Sequence, residues 1–188
     1  MAQILLFHHA LGLTPGVVEF VDALRKAGHT VDAPDLFDGQ LFERVEDGVA
    51  HEEGLGWEEM IRRTEAAAAD LPADLVYLGM SLGVVYGTRL AVLRPGARGL
   101  IGLYSPIPPE SVAGAALPAG VPAQYHWMQG DPWVDEGAPE ALVAQVPQAE
   151  VNVYEGDTHL FADPSSVDFD AVAAALAMER ILTFLGAL

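Results

Sequence analysis

The chain alternates short apolar runs with longer stretches in which apolar residues recur at three- and four-residue spacing. Residues 1–7 contain the run Ile4-Leu5-Leu6-Phe7, too short for a helix and apolar on both faces, which predicts a buried strand. Thr14-Pro15 follows as a helix cap with proline at the first helical position. Val17, Phe20, Val21 and Leu24 then form one apolar stripe, and Gly28 ends the helix. The same reading predicts strands over 29–33, 74–78, 98–104, 123–128 and 150–154. Helices are expected over 57–71, 82–93, near 138–146 and over about 169–185. Residues 35–56, acidic and punctuated by glycines, predict a long loop with one helical turn. Residues 105–122, rich in proline and glycine, predict another loop.

Strands and helices thus alternate from end to end. Strands apolar on both faces need helices covering both sides of the sheet. The expected architecture is α/β: a three-layer α/β/α sandwich around a mostly parallel sheet, as one domain over residues 1–188. Such sheets place chemistry beyond the carboxyl ends of their strands, here the loops after residues 7, 33, 78, 104, 128 and 154.

Composition narrows the function classes. Hydrophobic residues make up 51% and charged residues 19% of the 188, a balance suited to a folded core. The formal net charge of -18 argues against nucleic acid and anionic membrane surfaces, both of which require clustered cations. With no cysteine, disulfides, thiolate zinc sites and a cysteine nucleophile are excluded. The N-terminus lacks the basic segment and small-residue cleavage site of a signal peptide, so a cytoplasmic location is expected.

Residues 79–83 read Gly79-Met80-Ser81-Leu82-Gly83, a G-x-S-x-G pattern between a predicted strand and a predicted helix. With 19 glycines and five serines, chance would produce this pattern only about 0.05 times in a chain this long. The context is that of a nucleophile elbow, in which a tight strand-to-helix turn lifts the serine hydroxyl above the sheet. Glycines on either side remove the clash such a turn would cause. The Leu82 N–H, at the start of the helix, is placed to receive an oxyanion.

A serine hydroxyl needs a base. His159, in the loop after the last strand, is the best placed; His29, His51 and His126 lie at a helix end, in the acidic loop and inside a strand. Adjacent His8 and His9 point to opposite faces of extended backbone, and no metal site is expected. The acid that orients the base is assigned to Asp131, directly after strand 123–128, with Asp135, Glu136 and Asp157 as rivals. The order Ser81, Asp131, His159 is that of an α/β-hydrolase. The loop 8–12 should supply the second oxyanion donor, Ala10 N–H or alternatively His9 N–H. Phe37, Trp133 and Phe161 adjoin these loops and are candidates for an apolar substrate wall, and the His9 side chain is a candidate to reach the Ser81 region.

Five segments together resemble the dienelactone hydrolase family: ILLFHHALGL at the start, APDLFDG at 33–39, LGMSLGV at 78–84, GDPWV at 130–134 and GDTHLF at 156–161. The resemblance runs over nearly the whole chain. It implies a minimal α/β-hydrolase fold without a lid domain, with Ser81, Asp131 and His159 as triad and the backbone of Leu82 and Ala10 as oxyanion hole. It also implies a carboxylic ester hydrolase, carboxymethylenebutenolidase-like, acting on a small-molecule ester or lactone; triad chemistry needs no cofactor, and either a monomer or a homodimer is expected. Three departures stand out. The best-known members carry cysteine where this chain has Ser81, and glutamate where it has His9. Their substrate is a carboxylate clamped by arginines, one of which should fall near position 163; here that residue is Asp163, and Arg62 or Arg63 would have to supply the other. A general carboxylesterase or thioesterase, and a catalytically silent binding relative, are the alternatives.

Overall fold

The computed structural model describes residues 1–188. Six strands and seven helices follow one another as β1 (Gln3–Phe7), α1 (Pro15–Lys26), β2 (Thr30–Asp32), α2 (Val45–Leu55), α3 (Trp57–Ala68), β3 (Val76–Met80), α4 (Leu82–Leu93), β4 (Gly99–Leu103), α5 (Pro109–Ala113), β5 (Ala123–Met128), α6 (Ala138–Gln145), β6 (Glu150–Tyr154) and α7 (Ala171–Ala187). The strands form one sheet in the order β2-β1-β3-β4-β5-β6, and every pairing is parallel. No helix is long and apolar enough to cross a membrane.

Parallel neighbours require crossover helices, which divide the core in two. On one face, Ile4 and Leu6 of β1 pack with Phe20 and Leu24 of α1 and with Ala177, Ile181 and Phe184 of α7. On the other, Leu5 and Phe7 pack with Met60 of α3, Leu90 of α4 and Leu142 of α6. The alternation along β1 sends successive side chains to opposite layers, and each wholly buried leucine contributes about 2 kcal/mol. Thr14 caps α1 as its sequence announces, its side chain accepting from Val17 N–H at 3.2 Å.

Three departures from the sequence reading have physical causes. Residues 35–56 are not a loop with one turn, since 45–55 form the 11-residue helix α2. That helix has no side-chain N-cap and buries only Gly48, so its stability comes from tertiary contacts. The Tyr86 hydroxyl of α4 bonds Glu52, and Gly48 lies flat against the Ala10 carbonyl. Within 105–122, the short helix α5 interrupts the loop. Finally, β6 is an edge strand with Val151 and Val153 exposed, so one of its apolar faces is left uncovered instead of both being buried under helices.

Candidate active site

The site is built where β3 turns into α4. Ser81 separates the two elements and adopts φ 50°, ψ −114°, a backbone conformation that costs a non-glycine residue on the order of 1–3 kcal/mol. Two backbone hydrogen bonds hold it there: Ser81 N–H donates to the Leu103 carbonyl at 2.8 Å, and Val84 N–H donates to the Ser81 carbonyl at 2.9 Å. The flanking glycines are needed for space. A Cβ on Gly79 would lie 2.4 Å from Val84 Cα, and one on Gly83 would lie 2.2 Å from the Phe7 carbonyl oxygen.

Because both obstacles are backbone, no side-chain motion relieves them. Gly83→Ala is therefore expected to cost about 3 kcal/mol of stability and to lower activity by displacing the end of β1. Gly87→Ala, whose added carbon meets nothing closer than 3.7 Å, should be neutral or slightly stabilising. Urea denaturation of the two variants measures the contrast.

The Ser81 hydroxyl lies 2.7 Å from His159 Nε2, and His159 Nδ1 lies 2.7 Å from Asp131 Oδ2. A carboxylate only accepts, so Nδ1 carries the proton and Nε2 is left to accept from the serine. All three residues are buried, Ser81 at 8% exposure being the most open. Asp131 is itself fixed, since its second oxygen accepts from Trp133 N–H at 2.9 Å. The three elements carrying these groups are far apart in the chain, and the parallel register brings their carboxyl ends together.

The two expected oxyanion donors are unoccupied within the protein. Leu82 is the first residue of α4, so its N–H has no partner one turn earlier. Ala10 N–H donates to no protein acceptor.

The expected apolar wall is corrected. Trp133, 38% exposed, sits with its ring centroid 5.9 Å from that of His159 and is the one member of the expected wall that remains accessible. Phe37 is wholly buried, packed edge-on against His8 at 4.9 Å. Phe161 is wholly buried between Tyr104 and Tyr154. The His9 ring, expected as a candidate to reach the Ser81 region, has both nitrogens committed to other partners. It is fully buried, with Nε2 2.7 Å from Asp163 Oδ2 and Nδ1 accepting from Leu11 N–H at 3.3 Å.

Asp163 is the hub of that second cluster. It also accepts from the Thr14 hydroxyl at 2.7 Å and from the Ser165 N–H and hydroxyl at 2.7 and 2.6 Å. Burial alone would raise its pKa, but the hydrogen bonds from His9, Ser165 and Thr14 outweigh it and hold the carboxyl at about 2. Arg63 is committed elsewhere, to the Leu36 carbonyl at 2.6 Å and to Asp38 and Glu59. Arg62 pairs with Glu59.

Two residues at the site escaped the sequence reading. Asp168 Oδ2 accepts from both His159 N–H and Leu160 N–H at 3.2 Å and so shapes the loop that presents the imidazole; nothing in its local spacing marks it. Tyr104 follows β4 in a left-handed conformation with φ 75°, its ring 5.8 Å from His159. Burial drives its phenol well above the ordinary range. The only available signal was its position at a strand's carboxyl end.

A protein-family model described as the dienelactone hydrolase family matches residues 1–188. The chain superposes on a dienelactone hydrolase-like promiscuous phosphotriesterase from metagenomic libraries with a TM-score of 0.82 at 18% identity, covering 100% of this chain and 87% of that one. A provisionally assigned dienelactone hydrolase from Klebsiella pneumoniae subsp. pneumoniae gives 0.81 at 14% identity, covering 100% and 88%. A metagenome-derived lipolytic enzyme gives 0.68 at 15% identity, covering 100% and 94%. Among curated protein sequences none matches.

Proposed function

The chain belongs to the dienelactone hydrolase family, and from that premise we propose that it is a serine hydrolase that cleaves a carboxylic ester or lactone. One observation carries the reading: the unbroken hydrogen-bond chain from Ser81 through His159 to Asp131. Ser81 Oγ attacks the substrate carbonyl carbon while its proton passes to His159 Nε2. The Leu82 and Ala10 N–H groups hold the oxygen that becomes negative in the tetrahedral intermediate. The imidazolium, stabilised by Asp131, then protonates the departing alkoxide. Water, deprotonated by the same nitrogen, releases the acid and restores the serine. Trp133 forms one apolar side of the approach.

The preferred substrate is an uncharged ester. Where the resemblance called for a carboxylate-clamping arginine, this chain places Asp163 inside a hydrogen-bonded cluster. Arg62 and Arg63 are held by acidic neighbours.

A fluorophosphonate tests the reading directly. Incubation should add one phosphonyl group to the peptide containing Ser81, read by mass spectrometry, and abolish hydrolysis of p-nitrophenyl acetate in proportion. Ester turnover that persists with Ser81 fully labelled would refute the assignment. Slower hydrolysis of a neutral lactone than of its carboxylate analogue would refute the substrate preference.

A further inference from the structure

The adjacent buried histidines His8 and His9 have no part in the proton transfers above, yet each is fully hydrogen-bonded. Between His9 and Ala10 lies the peptide group whose N–H is the proposed second oxyanion donor. Its carbonyl, that of His9, accepts from Gly12 N–H at 3.0 Å and is 2.8 Å from His8 Nδ1. The far nitrogen of His8, Nε2, accepts from Leu36 N–H at 3.0 Å. A backbone N–H can only donate, so Nε2 is unprotonated and Nδ1–H donates to the His9 carbonyl. Burial pushes His8 down to about 4, which keeps this neutral form at neutral pH. The Asp35 carboxylate, 3.8 Å from Nε2, is too distant for a hydrogen bond.

His9 works on the other side. Its ring takes the Leu11 N–H on one nitrogen and reaches Asp163 on the other. Asp163 lies four residues past His159, and its own N–H donates to the Leu160 carbonyl at 3.0 Å. His8 therefore ties the 9–10 peptide to the loop after β2, and His9 ties it to the loop that carries the imidazole. A peptide plane is rigid. Fixing its carbonyl from two donors fixes the opposite direction of its N–H.

We propose that His8 and His9 are positioning residues which aim the Ala10 N–H at the oxyanion formed on Ser81. The proposal rests on the serine hydrolase reading. It also accounts for a His-His pair in a site whose chemistry needs a single imidazole.

The conservative and disruptive replacements at each position differ in one group. His8→Phe keeps the ring and its contact with Phe37 but cannot donate to the His9 carbonyl, whereas His8→Asn keeps a donor near the Nδ1 position. His9→Gln retains a donor toward Asp163, and His9→Leu does not. Loss of aim at one donor should lower kcat for p-nitrophenyl acetate by about 30-fold in His8→Phe and His9→Leu, less than the full loss of a donor. KM should change less than threefold, and the fluorophosphonate inactivation rate should fall in step with kcat. His8→Asn and His9→Gln should stay within about fivefold of wild type. If His9→Leu does not fold, the His8 pair decides.

Two outcomes overturn the proposal: folded His8→Phe with wild-type kcat, or His8→Asn falling as far as His8→Phe. A failure of the hydrolase reading looks different, because wild-type protein would then show no Ser81-dependent turnover at all.

Discussion

Ser81→Ala should lower kcat for a p-nitrophenyl ester by roughly five orders of magnitude while leaving the fold intact. Deleting the hydroxyl removes the attacking atom, and the remaining donors and bound geometry can assist only a slow direct attack by water. Alanine accepts the same backbone strain as serine at φ 50° and fills nearly the same space, so the melting temperature should move by no more than about 2 °C. A variant within tenfold of wild type would mean that another group performs the reaction. Ser81→Gly sharpens the test. It should be equally inactive yet more stable, because glycine relieves the strain.

Asp131→Asn should be nearly as damaging, lowering kcat about 10⁴-fold with little change in stability. The cause is the tautomer. Asp131 Oδ1 accepts from Trp133 N–H, so an asparagine would keep its carbonyl oxygen there and turn its NH₂ toward His159. That amide donates, which forces His159 Nδ1 to accept and moves the ring proton to Nε2. An Nε2–H cannot take the proton of Ser81. Steady-state kinetics on purified protein, with circular dichroism to confirm folding, measures the effect. A loss under tenfold would show that the imidazole is oriented by something else.

How far the sequence carried each assignment follows from whether the relevant physics is local. The G-x-S-x-G run was readable because the elbow demands glycine at 79 and 83 for space that the turn itself removes. The Thr14 cap and the Gly28 stop were readable for the same reason. Helix α2 was not. Its glycines and weak amphipathicity argue for a loop, and it is held by the Glu52–Tyr86 bond and by the fit of Gly48 on Ala10. Phe37 and Phe161 stand beside the right loops in sequence, yet each turns into the core, a choice between two sides that spacing does not encode. His9 and Asp163 are 154 positions apart, and no local pattern predicts that they meet.

From the residues alone came the alternating apolar runs, hence the layered α/β architecture, and the three groups whose order and strand-end positions suit acyl transfer. Those follow from short-range rules of sterics and periodicity. The folded chain decided the rest: which aromatics face solvent, where Arg62 and Arg63 are spent, and which partners two neighbouring buried histidines bond. Such outcomes depend on distant segments competing for one buried space, and only packing resolves that competition.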